Sequence, residues 1–369
     1  MKKILFFINS LAGGGAEKVL INLLQSLDPQ KYEIDLISVT GGTFERDLSE
    51  IVNYKTVLRS KNKFINKWSK KIIYNLPFWI VRKILIKKKY DIEVAYLEGF
   101  PTRVVSTNSF SPKTKKIAFV HCDVSVKPVL NDFYKSKAEC IHEYRCFDKV
   151  CFVSQKALLG FEKAFAPLDN SIIIHNVVNE EEILNKSEAK NDFEFSTNGL
   201  KLISVGRLSS EKGYERLIKT VGELEKKYEF ELWILGEGPE RARLEQLITE
   251  LGISSVKLLG FQENPYSYMK KADLYICPSY FEGYSTTVTE CMLLKIPVLT
   301  TDCAGMDEIL DNGKYGKITE NSDEALLDGL IEFFENKEIL NTYRENLKAY
   351  QFDNNVENYD MLFQAMGDL

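Results

Sequence analysis

An α/β architecture of two parallel-sheet domains, each built from alternating strands and helices, is predicted by three observations. Short apolar runs followed by helical periodicity recur along the chain, a polar gap interrupts them near the middle, and 369 residues suit two domains of ordinary size. Hydrophobic residues make up 44% of the chain and aromatic residues 12%, enough for a core in each domain. The expected division is residues 1–178, a linker over 179–199, a second domain over 200–350, and a terminal helix over 351–369 that crosses back to the first.

The first strand is the run Ile4–Ile8, too short for a secretory signal and lacking a convincing cleavage site before Gly13-Gly14-Gly15. The glycine loop leads into a helix whose Val19, Leu20, Leu23, Leu24 and Leu27 recur at helical spacing. Strand, glycine loop and helix in that order expose backbone N–H groups to a phosphate or sugar, although a plain tight turn uses the same residues. The dinucleotide fingerprint is absent: Lys18 stands where its third glycine belongs, and Asp35 falls inside a strand-like segment.

Between Lys61 and Lys89 there is no acidic residue. Lys67, Lys70, Lys71, Arg82, Lys83 and Lys87 alternate there with apolar residues that include Trp68 and Trp79, and the helical pattern breaks near Pro77. This pattern predicts a basic amphipathic segment touching an anionic membrane surface; the competing reading is a solvated helix packed on its own sheet. Nucleic acid is disfavoured because no recognisable reading motif accompanies the charge.

Strand patterns resume at Ile92–Ala95, Ile117–Val120, Val150–Val153 and Ile172–Ile174. His121 directly follows the strand ending at Val120, at the C-terminal end where open α/β sheets bind ligands, although a buried histidine holding a loop fits as well. Asn179–Asn198 is polar and acidic with little periodicity and reads as the linker. The second series begins at Leu200–Val205, and its loop carries Gly206, Arg207 and Lys212, two cations able to clamp a diphosphate or else to pair with local acids such as Glu211. Phe230–Leu235 with the turn at Gly236, Val256–Phe261, and Leu274–Cys277 follow.

After Cys277, Glu282 and Glu290 flank a predicted helix start at which Ser285, Thr286 and Thr287 are all capable N-caps. If both acids lay on one helix they would be separated by about 800° of rotation, roughly 80° apart in projection. Glu282 on the entering loop and Glu290 in the first helical turns would instead reach two ends of one ligand across free N–H groups suited to an anion.

Charge is unevenly divided: residues 1–179 hold 28 Lys and Arg against 17 Asp and Glu, net +11, and the remainder 20 against 36, net −16. The basic half is expected to meet an anionic surface or acceptor. Seven cysteines without a C-x-x-C pair fit a reducing compartment, so a cytoplasmic protein is expected, and Cys140, His142, Cys146 and Cys151 match no common zinc spacing. No stretch reaches the ~18 apolar residues of a membrane span.

Taken together, Gly13–Glu17, Val153-Ser154, Asn176–Val178, Gly206–Leu208 with Glu211–Gly213, Gly236–Pro239, and Pro278-Ser279 with Glu282 and Glu290 resemble the retaining nucleotide-sugar glycosyltransferases of the GT-B fold. The similarity is greatest to the large family of bacterial capsule, exopolysaccharide and lipopolysaccharide transferases, family four in the sequence classification. Lys295-Ile296-Pro297 departs from its usual glycine before the residue that precedes proline. The resemblance implies two Rossmann-like domains facing a deep cleft, an N-terminal one for the acceptor and a C-terminal one for the donor.

It also implies that Arg207 and Lys212 neutralise the departing diphosphate without metal or other cofactor, in keeping with the absence of any D-x-D. Glu282 would bond the transferred sugar, Glu290 the ribose, and the backbone of Gly283, Tyr284, Ser285, Thr286 and Thr287 the sugar and phosphate. Gly14 and Gly15 would admit phosphate and acceptor, and His121 would contact the sugar. The expected reaction is transfer of a hexose or N-acetylhexosamine from a UDP-sugar to a lipid-linked surface glycan at the inner face of the cell membrane. A sugar-nucleotide 2-epimerase of the same fold, which needs no acceptor, and a non-catalytic binding protein are the alternatives.

Overall fold

The computed structural model describes residues 1–48, 52–58, 63–126 and 130–367, the side chains of 63–68, 337 and 367 excepted. The chain divides into one unit of Met1–Val177 with Asn354–Leu369 and a second of Val178–Asp353.

The first unit is built on a seven-stranded sheet of β1 (Lys2–Ser10), β2 (Tyr32–Thr40), β3 (Val52–Leu58), β4 (Ile92–Ala95), β5 (Lys115–Val120), β6 (Lys149–Phe152) and β7 (Ser171–Ile173). Their order is β3-β2-β1-β4-β5-β6-β7, parallel throughout. Parallel strands covered on both faces need apolar side chains on both, and Ile4, Leu5, Phe6, Phe7 and Ile8 are all fully buried. The closing helix Val356–Gly367 belongs to this unit: Phe363 meets Phe6 and Tyr32 edge-on at 6.0 Å, and Tyr359 stacks on Phe119 at 5.7 Å. Asp360 accepts from Tyr32 at 2.6 Å and pairs with Lys31 at 2.8 Å, fixing the register of the helix on the sheet.

The second unit holds β8 (Leu200–Val205), β9 (Phe230–Leu235), β10 (Val256–Gly260), β11 (Leu274–Cys277), β12 (Val298–Thr301) and β13 (Gly316–Thr319). Their order is β10-β9-β8-β11-β12-β13, again all parallel. Strand order reverses direction between β1 and β4 in one sheet and between β8 and β11 in the other, and it is at such a reversal that loops part to leave a binding crevice.

The stretch read as a linker is folded. Asn179 caps the helix Glu180–Ser187 by accepting from the Glu182 N–H at 3.0 Å, three acids occupy its first turn, and Ile183 is buried. Phe195 then stacks on Trp233 at 3.7 Å, so residues read as a connector form part of the second unit's core. A single buried apolar position in the helix gave no periodicity to read; the cap and the acidic first turn were its only signals.

The basic segment forms two helices, Lys63–Asn75 and Phe78–Leu85, parted at Leu76-Pro77. Lys70, Lys71, Lys83 and Lys87 are exposed, as is Trp79 at 55%. The side chains of Lys67 and Trp68 lie outside the described residues. Arg82 does not face solvent: it is 3% exposed and its Nη2 donates to the equally buried Glu93 at 2.5 Å. Nothing in the basic run itself signals this burial, because the partner stands on β4, beyond the run. Among the described residues no helix is long and apolar enough to cross a membrane.

Candidate active site

The charged residues of the second unit converge where its strand order reverses. The loop after β8 carries Gly206, Arg207 and the turn Ser210–Lys212; the loop after β11 carries Pro278 to Ser285. They are pressed together by backbone. Gly213 has φ 68°, and a Cβ there would lie 1.9 Å from the Pro278 carbonyl oxygen, so only glycine serves. The Tyr280 N–H donates to the Glu211 carbonyl at 2.8 Å. Beside them Gly236, at φ 141°, would drive a Cβ to 1.8 Å from the Gly206 oxygen, so the ends of β8 and β9 also require close approach.

Lys212 Nζ donates to Glu282 Oε1 at 2.7 Å, and Ser279 Oγ donates to the same oxygen at 2.6 Å. Lys212 therefore pairs across seventy residues of sequence and not with Glu211. Burial works against the Lys212 charge, but the Glu282 carboxylate outweighs it and holds the ammonium above its ordinary range. Both side chains keep access to solvent, at 29% and 12%. Arg207 differs: it is exposed and, among the described residues, has no ion-pair partner. One cation is thus pre-oriented by a carboxylate while the other stands open.

The helix Thr286–Leu293 begins at Ser285, which accepts from the Val288 N–H at 3.4 Å, so Thr286 and Thr287 are its first two residues and not its cap. Glu290 is 8% exposed, and its Oε1 accepts from the Tyr266 hydroxyl at 3.0 Å. Gly283 packs against Gly305, where a Cβ would fall 2.9 Å from the Gly283 oxygen, and burial pushes the Tyr284 hydroxyl up. The two carboxylates of the loop and helix are consequently held apart by different partners, Lys212 at one end and Tyr266 at the other.

Sequence reasoning missed Arg216. It is 2% exposed, donates from Nε to the Pro278 carbonyl at 2.6 Å and from Nη2 to the Ser279 carbonyl at 2.6 Å, and lies 4.0 Å from the Tyr280 ring. Nη1 reaches Asn321 at 2.9 Å. Its guanidinium therefore shapes the turn from which Glu282 projects. Nothing local distinguishes it from a surface arginine on the helix Tyr214–Leu224. A cavity of about 160 Å³ lies against Arg216, Tyr280 and Ser209, but Lys212, Arg207 and Glu282 do not line it, so we place the chemistry at the charged pair.

In the first unit Gly14 is the N-cap of the helix Gly15–Ser26; a Cβ on it would lie 2.1 Å from Glu17 Oε2, whereas Gly15 has open space around it. The positive φ of the loop falls on Gly13, at 110°. His121 follows β5, with Tyr96 at 4.9 Å and Phe119 at 5.8 Å from its ring. Its Nε2 is buried without a hydrogen-bond partner, and burial lowers the ring to about 4, so it is neutral at pH 7. Glu98, after β4, was also missed. It accepts from the backbone N–H groups of His121 and of Cys122, the latter at 3.1 Å, and its burial raises its own pKa.

The His121 shift carries a sign. Its folded-state value lies below the unfolded value, so no penalty exists above about pH 6.5. As pH falls from there towards 4, the unfolded chain binds a proton that the fold refuses, and stability declines by at most about 1.4 kcal/mol per pH unit. Urea titrations of wild type and His121→Gln across that window are expected to converge as pH falls; parallel curves would show that His121 takes no part.

Among the described residues no group of three or more His, Cys, Asp or Glu could hold a metal ion.

Residues 185–350 match the family described as glycosyl transferases group 1. Over 362 residues, 95% of this chain and 94% of the relative, the chain is 27% identical to N-acetylgalactosamine-N,N'-diacetylbacillosaminyl-diphospho-undecaprenol 4-alpha-N-acetylgalactosaminyltransferase of Campylobacter jejuni. Over residues 185–350 the chain is similar to the group 1 glycosyltransferases. The chain is also 28% identical, over 91% of its length and 88% of the relative, to the lipopolysaccharide core biosynthesis glycosyltransferase LpsD of Rhizobium meliloti. Among solved structures it resembles Anabaena HepE in complex with UDP and glucose, with a TM-score of 0.77 at 20% identity and full coverage of both chains. That likeness shows the fold, which is GT-B, built from the two Rossmann-like units described above. The family match covers β8 to β13 and with them Arg207, Lys212, Glu282 and Glu290.

Proposed function

We propose that this glycosyltransferase moves a hexose or N-acetylhexosamine from a UDP-sugar, with retention at the anomeric carbon and without metal, to a lipid-linked surface glycan at the inner face of the cell membrane. The observation carrying the reading is the pairing of Lys212 with Glu282 at the strand-order reversal, beside the open Arg207 and the N-terminus of the helix Thr286–Leu293. Two cations and free helix N–H groups suit a leaving diphosphate. The lipid-linked acceptor is supported by the name of the Campylobacter relative, and UDP by the ligand in the Anabaena structure.

In this reading the bond from the anomeric carbon to the phosphate oxygen breaks, and UDP departs with the electron pair. The acceptor oxygen bonds to the same face of that carbon and gives its proton to the leaving phosphate. Arg207 and Lys212 stabilise the charge that develops on the diphosphate. Glu282, oriented by Lys212 and Ser279, bonds sugar hydroxyls, and Glu290, oriented by Tyr266, the ribose. The roles of Gly14, Gly15 and His121 towards donor and acceptor rest on the family pattern.

UDP release measured in EDTA over a panel of UDP-sugars with lipid-linked acceptors tests the proposal. Turnover with a hexose or N-acetylhexosamine donor is expected; a folded protein without turnover on any combination would contradict it.

A further inference from the structure

The charge of the first unit has a focus that the proposed reaction does not use. A groove of about 570 Å³ lies between the helix Phe78–Leu85 and the turn 107–110, lined by Trp79, Arg82, Lys83 and that turn, including Phe110. Arg82 spends only Nη2 on Glu93; its Nε and Nη1 are buried and have no hydrogen-bond partner. Leaving such donors unpaired is unfavourable. An anionic oxygen in the groove would relieve it.

The wall and floor are tied together. The second Glu93 oxygen accepts from Ser109 Oγ at 3.2 Å, and Lys116 Nζ donates to the Ser106 and Thr107 carbonyls at 3.0 and 2.7 Å, bracing the turn from below. Glu93 is consumed by Arg82 and Ser109, and among the described residues Lys83 has no ion-pair partner, so it adds charge at the mouth, its Nζ 5.1 Å from the Trp79 ring. Around this cationic recess Trp79, Ile84 and Phe110 are 55%, 51% and 47% exposed. Aromatic and aliphatic side chains ringing a cationic recess match the boundary between headgroups and acyl chains.

We propose that this groove is the seat of an anionic phospholipid headgroup, its phosphate meeting Arg82 and Lys83 while Trp79, Ile84 and Phe110 enter the acyl boundary. The proposal rests on the membrane-surface part of the function proposed above and gives it an address. The groove is formed where β4 and β5 begin, whereas Gly14 and His121 follow strand ends, so a lipid held there leaves the opposite edge of the sheet unobstructed.

The test is co-sedimentation of the full chain with vesicles of phosphatidylcholine alone and of phosphatidylcholine mixed with phosphatidylglycerol. Wild type should bind only the mixed vesicles, and Lys83→Glu and Phe110→Ala, both at exposed positions, should each weaken that binding about tenfold or more with unchanged thermal midpoints. Lys70→Glu/Lys71→Glu is the comparison for diffuse attraction by the neighbouring helix. If wild type binds mixed vesicles and both groove variants bind equally well, the headgroup site is overturned while membrane association stands. If wild type binds neither vesicle, both fall, and capture of polyglutamate by that same protein would assign the groove to an acidic protein partner. Equal binding to neutral and mixed vesicles would also overturn the headgroup assignment.

Discussion

Arg207→Ala is expected to lower kcat by about two to three orders of magnitude, the usual loss when one preorganised charge-stabilising group is removed, and to leave stability within about 0.5 kcal/mol. The second half of the expectation follows from its surroundings: the side chain is exposed and, among the described residues, has no ion-pair partner whose loss would be felt by the fold. Lys212→Ala should lose as much activity, but through two effects. It removes a cation from the leaving group and also releases Glu282, whose carboxylate then keeps only the Ser279 hydroxyl as an orienting partner. Lys212→Arg should recover part of the loss, since it restores charge without reproducing the single-point contact at 2.7 Å. Steady-state kinetics beside thermal melts measure all three variants. Near-normal kcat in Arg207→Ala and Lys212→Ala would remove leaving-group stabilisation from the account.

The largest effect on the fold is expected from Arg216→Ala. Removing a fully buried guanidinium leaves the Pro278 and Ser279 carbonyls without its donors and Tyr280 without its stacking partner. Breaking a buried charged network of this kind costs about 3–5 kcal/mol, which for a unit of this size lowers the melting midpoint by roughly 10 °C. The affected backbone carries Glu282, so activity should fall further than the population of unfolded chain explains, measured as kcat per folded molecule well below the melt. A midpoint within a degree or two of wild type would show that the turn holds its shape without Arg216.

The strands were legible because parallel strands covered on both faces must be apolar throughout, as Ile4–Ile8 and Leu274–Cys277 are. The glycines at 206 and 236 and the acids at 282 and 290 were legible as a pattern. Their partners were not, because Lys212 and Glu282 meet through a sheet topology that places β8 beside β11, and no local spacing encodes that. The same limit hid Glu98 behind His121 and Arg216 behind Pro278. The pairing of Arg82 with Glu93 was not legible because the neighbours of Arg82 in sequence are basic, whereas its partner in space stands on β4. The helix Glu180–Ser187 is hard to tell from a linker in sequence because it buries so little apolar surface.

In the proposed mechanism the second unit grips a nucleoside diphosphate through charge alone at Arg207 and Lys212. Calorimetric titration of UDP in EDTA, into wild type and Arg207→Ala, tests that grip. Wild type should bind, and the variant should bind about tenfold or more weakly, as loss of a charge-assisted hydrogen bond requires. Binding that appears only when a divalent metal is added, or equal affinity in the two proteins, would contradict it.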